Sequence, residues 1–411
     1  MPKPVIIAGA GPGGLTAALM LHAQGIPVCV FESVTALKPL GVGINLLPHA
    51  VRVLAGLGLS PALDQVSIQT AELCYFNKFG QRIWAEPRGR AAGYAYPQYS
   101  IHRGFLQMLL YETAQVRMGA EAVQTGYALT SWQETTAGIH VRLQTRDGVT
   151  HEVEGSCLIA ADGIHSAARR QLYPAEGEPI FAGRILWRAT SVAEPFLTGR
   201  TMIMAGYQNQ KFVCYPIAPV ADQPDKMLLN WVAELKVPGF APPKQDWNRQ
   251  VGKERFAEAF QPWRFAWLDI PALIDKAETI YEYPLVDRDP LPRWSYGRMT
   301  LLGDAAHPMY PIGSNGASQA ILDAEALANA LVATANVEEA LARYEAERRL
   351  ATAGITLLNR QNGPEQVMQL AEERAPNGFA DVHTVIPQQE LEEIAARYKQ
   401  AAGFTITQVN R

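Results

Sequence analysis

The chain has 411 residues, 48% hydrophobic and 18% charged, the balance of an ordinary globular enzyme rather than of a disordered or fibrous chain. Its 36 basic and 40 acidic residues give a formal net charge of −4 with no basic block, which speaks against a nucleic-acid partner. No stretch reaches the ~20 apolar residues of a membrane span, and no charged segment followed by a long apolar core opens the chain, so a cytoplasmic location without a membrane partner is expected.

The first elements read strand, tight turn, helix, strand. Val5–Ala8 is wholly apolar, as a buried parallel strand should be. Gly9-Ala10-Gly11-Pro12-Gly13-Gly14 follows directly, a GxGxxG turn opening a helix from Gly13 to Gln24 with Leu15, Ala18, Leu19 and Leu21 on its inward side. Gly9 makes the turn, Gly11 lets backbone approach a pyrophosphate, and Gly14 lets helix and strand pack closely. Gly25 stops the helix, and after Pro27 a second buried strand, Val28–Phe31, leads to Glu32 and Ser33. An acid there, 18 residues after Gly14, can accept hydrogen bonds from ribose hydroxyls. Strand, motif, helix, strand and acid in register predict a dinucleotide site.

Farther along, Cys157–Ala161 is a strand ending in Asp162-Gly163, and Met299–Leu302 is a strand ending in Gly303-Asp304. Between them Ile185–Thr190, Thr201–Ala205, Lys211–Ile217 and Met227–Glu234 alternate or carry aromatics, and read as an antiparallel sheet forming one wall of a pocket. Val237–Pro243 is expected as a Pro-rich loop, Lys253–Leu268 as a helix, and Ala317–Ala333, Val337–Thr352 and Gln388–Ala401 as further helices. Cys29, Cys74, Cys157 and Cys214 are scattered in apolar runs and are expected as buried free thiols; no His/Cys cluster suggests a metal.

The late motifs select FAD over NAD. An extended FAD would lay its adenine end on the first unit and its ribityl chain along the carboxyl ends of other strands, where Asp304 could bond its hydroxyls. Gly313-Ser314-Asn315-Gly316 and the helix from Ala317 could present backbone N–H groups to the flavin edge that becomes negative on reduction.

In these three ordered motifs the sequence resembles the group A flavoprotein aromatic hydroxylases, over about residues 4 to 350. Leu40–Asn45, Ala95–Arg103 and Val286–Pro292 look most similar to the methylphenazine carboxylate monooxygenase branch, with salicylate hydroxylase-like proteins close by. The resemblance implies an α/β fold: a Rossmann-like FAD-binding domain of the p-hydroxybenzoate hydroxylase kind with an inserted antiparallel-sheet substrate domain. Expected boundaries are 1–72, 97–181 and 276–355 for the FAD domain, 73–96 and 182–275 for the substrate domain, and 356–411 for a C-terminal helical segment.

It further implies FAD-contacting roles for Asp162, Arg103, Gly43 and Ile44, a part for Arg169 in FAD and NAD(P)H binding, and a cofactor-turn role rather than catalysis for His307. The expected chemistry is reduction of FAD by NAD(P)H, formation of a flavin C4a-hydroperoxide with O2, and oxygen transfer to a small aromatic or N-heteroaromatic substrate, a carboxylated, phenazine- or salicylate-like ring being one candidate. Tyr215 and Arg188 are the candidate catalytic contacts, a phenol to relay a proton and a guanidinium to hold a carboxylate, with Pro311 in the adjoining loop. Trp187, Met204, Asn230, Trp231, Met309 and Tyr310 join Tyr215 as candidate pocket lining. The protein is expected as a monomer or homodimer. An FAD-dependent reductase without oxygen insertion is the alternative; a halogenase is disfavoured because Trp263-Arg264-Phe265-Ala266-Trp267 does not match WxWxI.

Overall fold

The structure is a computed structural model that describes residues 3–239 and 249–410. Two sheets organise it. A six-stranded sheet has the order Ser295–Tyr296, Met299–Leu301, Cys157–Ala160, Val5–Ala8, Val28–Glu32, Val123–Thr125. It is parallel except for the edge strand Ser295–Tyr296, and Val5 sits between Cys157 and Val28. Its central strands are buried on both faces, which is why Val5–Ala8 and Cys157–Ala160 are uninterrupted apolar runs.

The helix Pro12–Ala23 is apolar nearly all round because it is sandwiched. One side covers the sheet, and Gly13 lies against Leu302 and Ala320, bringing in the helix Gly316–Ala333. Leu15 and Leu19 are fully enclosed, each burial contributing about 1.5–3 kcal/mol.

The second sheet has eight strands in the order Gln250–Val251, Ile280–Asp287, Ile180–Ala193, Met227–Lys236, Gln210–Pro219, Thr201–Tyr207, Glu72–Phe76, Arg82–Pro87. It is antiparallel except where Thr201–Ala205 runs parallel to Glu72–Phe76. Ile280–Asp287 pairs with Ile180–Ala193, so this sheet extends past the boundary expected at residue 275. A side-chain period of two divides its faces cleanly. Ile185, Trp187, Ala189, Phe212, Cys214, Trp231 and Ala233 pack on one face; Leu186, Met202, Met204, Val213, Tyr215 and Ile217 pack on the other, with Tyr310 and Ile312.

The helix expected over Lys253–Leu268 is not formed. Short turns at Lys253–Arg255 and Ala257–Phe260 precede a small hairpin, Arg264–Phe265 with Leu268–Asp269. Phe256, Phe260 and Trp263 plug the back of the sheet, and this tertiary packing overrides a helical spacing. The loop expected at Val237–Pro243 lies from residue 240 outside the described residues. The helix from Val337 runs on to Arg360, and Gln388–Ala401 is helical. The four cysteines are free, and all but Cys29 are buried.

Candidate functional site

Each glycine of the first turn has its own reason. At Gly9, φ is +109° and a Cβ would overlap the carbonyl of Ala161, where the neighbouring strand ends. At Gly14 a Cβ would overlap the carbonyl of Gly9. At Gly11 a Cβ would meet nothing within 4 Å: the backbone there faces open space. The helix that follows has no side-chain cap, so its first N–H groups are free to meet an anion. Glu32 closes the turn, accepting from Ala10 N at 2.8 Å, Ser33 Oγ at 2.9 Å and Val34 N at 3.0 Å. A carboxylate has room for about four such bonds, so one site remains for a ribose hydroxyl.

Arg103 starts the helix Arg103–Met118 beside Gly41, whose virtual Cβ lies 3.9 Å from the arginine side chain. Among the described residues no carboxylate forms an ion pair with it. It lies near enough to Asp304 for its charge to act on that carboxyl. That carboxyl is reached by solvent but sits among surrounding protein, and the loss of bulk water raises its pKa against the opposing pull of His307 and Arg103.

Asp162 accepts from Ala167 N at 2.7 Å, at the start of the helix Ala167–Leu172, and leaves Oδ1 without a partner. Burial raises its pKa, offset in part by Ser166 and that amide. Arg169 points inward. Its guanidinium donates to the carbonyls of Ala305 at 3.1 Å and Ala306 at 2.9 Å and pairs with Glu176, so it braces the backbone just after the Gly303-Asp304 turn.

His307 is likewise structural. Its Nε2 lies 2.5 Å from Asp323, which also accepts from Arg348 Nε at 2.8 Å and Gly303 N at 3.1 Å. Burial would raise the Asp323 carboxyl, but His307 and Arg348 outweigh it and hold it down at about 2. Gly303 and Gly313 both take positive φ, and Ser314 joins them at +56°. Beyond them the helix Gly316–Ala333 starts at Asn315 without a side-chain cap, leaving the N–H groups of Gly316 and Ala317 to a ligand. The Asn315 side chain itself is buried and accepts from Gln319 at 3.1 Å. Open backbone at Gly11, two uncapped helix ends, an unpaired arginine and a cleft carboxyl fit the groups of an extended FAD.

The strand Gly43–Leu46 connects this cleft to the large sheet. Gly43 N donates to Asn230 Oδ1 at 2.7 Å, while its carbonyl accepts from Tyr215 OH at 2.9 Å and Arg188 at 2.8 Å. Tyr215 is buried, which pushes its phenol up to about 12 even though Arg188 pulls the other way; at neutral pH it is a donor. Arg188, Met204, Tyr215 and Asn230 thus share the face that meets Tyr310. Trp187 and Trp231 do not: alternation turns them to the back, where Trp187 stacks on Phe256 and bonds Glu282, and Trp231 stacks on Phe212 and bonds Ser191. Met309 packs against the C-terminal segment beside Leu47 and Tyr398, and Pro311 is exposed in the turn. A cavity of about 320 Å³ opens beside Arg184, Lys236, Tyr310 and Arg360; it shares only Tyr310 with the expected lining.

Sequence reasoning passed over Asp323 and Gln319, though two polar side chains on the inward face of an alanine-rich helix were a usable signal. It also passed over His49, buried against Phe404 with Nδ1 unpartnered and its pKa lowered to about 3 by burial and by Arg348 and Arg52. Among the described residues no group of three or more His, Cys, Asp or Glu could hold a metal ion, and no helix is long and apolar enough to cross a membrane.

A family model described as an FAD binding domain matches residues 3–357. The chain is 47% identical over 366 residues to phenazine 1,6-dicarboxylic acid hydroxylase PhzS of Lysobacter antibioticus, covering 87% of this chain and 89% of that one. It is 30% identical over 374 residues to 6-hydroxynicotinate 3-monooxygenase of Pseudomonas fluorescens, covering 87% and 90%. Its fold matches Klebsiella pneumoniae HpxO complexed with FAD and uric acid at a TM-score of 0.72, 22% identity and coverage of 97% and 92%.

Proposed function

From the premise that this chain belongs to the FAD-binding family of class A flavin monooxygenases and hydroxylates an aromatic or heteroaromatic ring, we propose that its substrate is a flat N-heteroaromatic carboxylate, of the phenazine carboxylate kind, and that NAD(P)H is its electron donor. The observation that carries the substrate reading is the convergence of Arg188 and Tyr215 on the Gly43 carbonyl, on the sheet face that meets Tyr310. The 47% identity to a phenazine dicarboxylic acid hydroxylase supports the same class.

FAD, when bound, would supply the redox chemistry, the two electrons of NAD(P)H and one molecule of dioxygen giving one oxygen atom to the ring and the other to water. The protein's part is placement. Gly11, the uncapped helix starting at Pro12, and Arg103 would hold the pyrophosphate; Glu32 a ribose; Asp304 the ribityl hydroxyls. The amides of Gly316 and Ala317 would face the flavin edge that gains negative charge, where a helix dipole stabilises it.

Arg188, half-buried and 6.0 Å from the Tyr283 ring centre, would orient a substrate carboxylate. Tyr215, kept protonated, would switch its O–H from the Gly43 carbonyl to a ring nitrogen or phenolate oxygen of the substrate. Met204 and Tyr310 supply apolar walls that exclude water. The free thiols support a reducing, cytoplasmic setting, and nothing in this scheme needs more than a monomer or homodimer.

The test is NAD(P)H oxidation in air by the FAD-loaded protein, with phenazine, pyridine and benzene carboxylates offered separately and products weighed by mass spectrometry. The expected outcome is stimulation by the phenazine carboxylates and a product containing one atom from labelled dioxygen. Stimulation by benzoates alone would overturn the substrate reading.

A further inference from the structure

We propose that Tyr398 and Asn359 act as a positioning pair, fixing the turn Tyr310–Gly313 and thereby the end of the helix Gly316–Ala333 that faces the flavin. The inference rests on the FAD reading and extends it to a C-terminal segment lying outside the residues that the family model matches.

The turn has little of its own to hold it. Gly313 at φ +69° and Ser314 at φ +56° are consecutive left-handed residues, and such a serine costs about 1–3 kcal/mol unless its surroundings impose it. Two side chains from distant parts of the chain take its carbonyls. Asn359, fully buried near the end of the helix Val337–Arg360, donates Nδ2 to the Tyr310 carbonyl at 3.1 Å. The Tyr398 hydroxyl lies 3.2 Å from the Ile312 carbonyl and 3.1 Å from Asn359 Oδ1, so its one proton is shared between them. The phenol also fills the space beside Gly313, where a Cβ would overlap it.

The segment carrying Tyr398 is tied to the cleft at a second point. Gln319, one turn into the flavin-facing helix, donates to the Ala402 carbonyl at 3.2 Å. Phe404 packs edge-on to Tyr398 at 6.3 Å and stacks on His49 at 5.6 Å, and the Tyr94 hydroxyl donates to the Phe404 carbonyl. Ordinary core packing would need none of these polar ties. Their targets are the turn before the helix and the first turn within it, which is the part of the backbone that must keep one geometry if its N–H groups are to meet a flavin.

Tyr398→Phe removes one oxygen and keeps the ring against Gly313 and Phe404; Asn359→Ala removes the other half of the pair. Leu341→Ala, a cavity under the helix that carries Asn359 but in a part of the core that includes no residue of the turn, is the control for lost packing. The readouts are FAD dissociation by fluorescence, the visible absorption bands of the bound flavin, and thermal unfolding. Tyr398→Phe and Asn359→Ala are expected to weaken FAD binding about three- to tenfold each and to shift the flavin bands, less than additively when combined. Leu341→Ala is expected to lower the unfolding temperature while leaving affinity and bands as in the wild type. If Tyr398→Phe and Asn359→Ala change only the unfolding temperature, the pair is packing and the inference is wrong. A wild-type chain that takes up no FAD would overturn the flavin reading itself, and this inference with it.

Discussion

Asn230 and Gly43, 187 residues apart, are joined by a 2.7 Å hydrogen bond from the glycine amide to the asparagine oxygen, and they touch so closely that a Cβ on Gly43 would stand 2.6 Å from that of Asn230. The contact couples the strand Gly43–Leu46 to the eight-stranded sheet. Asn230→Ala strands a buried amide and should cost about 1–3 kcal/mol in chemical denaturation. Gly43→Ala keeps the bond's partners but forces strand and sheet apart against Asn230 and Ile217, so it should weaken FAD binding more than Asn230→Ala does. Equal FAD affinity in Gly43→Ala and wild type would show that this strand does not border the cofactor.

Arg103 offers a cleaner separation of binding from folding. It is exposed and starts a helix, where a cation opposes the dipole, so its removal should leave stability within about 0.5 kcal/mol. Loss of a charge-assisted contact to a phosphate should weaken FAD binding about ten- to a hundredfold. The dependence of that affinity on salt should also flatten. An Arg103→Ala protein with wild-type FAD affinity would remove the arginine from the pyrophosphate site.

Asp323 predicts a pH signature. Its carboxyl is held down at about 2 in the folded state, because His307 and Arg348 overcome the effect of burial, against about 3.9 in an unfolded chain. A depressed folded pKa means that the charged form stabilises the fold above pH ~4, and that this stabilisation drains away as pH falls toward ~2. Asp323→Asn should therefore cost about 3 kcal/mol or more at pH 7, since it leaves Arg348 buried without its counter-charge. The gap between wild-type and variant urea midpoints should narrow as pH drops below ~4. A gap that stays constant from pH 7 to pH 3 would mean the carboxyl is not depressed.

The parallel sheet and its glycine-rich turn were legible because their signals are local. Gly9 to Gly14, Glu32, and the carboxylates ending two later strands each carry their meaning within a few residues of sequence: Gly9 lies against Ala161, Glu32 accepts from Ala10 N, and Asp162 and Asp304 follow neighbouring parallel strands. The lining of the eight-stranded sheet was not, for a geometric reason. Trp187 and Arg188, or Asn230 and Trp231, are sequence neighbours, yet alternation sends them to opposite faces, and only the sheet's packing says which face meets the turn at Tyr310. Lys253–Leu268 failed differently: its aromatic spacing imitates a helix but serves to plug a sheet. The polar ties of Asp323, Asn359 and Tyr398 cross 16 to 86 residues of chain, and no local motif announces them.

The second and third glycines of the dinucleotide motif, Gly11 and Gly14, should separate folding from binding in a single experiment. Gly11 has φ −73° and ψ 173°, a conformation open to any residue, and a Cβ there meets nothing within 4 Å. Gly11→Ala should therefore fold with a stability change within about 1 kcal/mol, while its methyl group occupies the space a pyrophosphate needs and weakens FAD binding about ten- to a hundredfold. At Gly14 the Cβ would overlap the Gly9 carbonyl, which is backbone and cannot rotate away. Gly14→Ala should lose about 3 kcal/mol or more, or fail to accumulate as folded protein, whether or not FAD is supplied. Far-UV circular dichroism and denaturant melts without FAD, followed by fluorescence titration with it, distinguish the two. If Gly11→Ala binds FAD as tightly as the wild type, the open space beside Gly11 is not where the pyrophosphate lies.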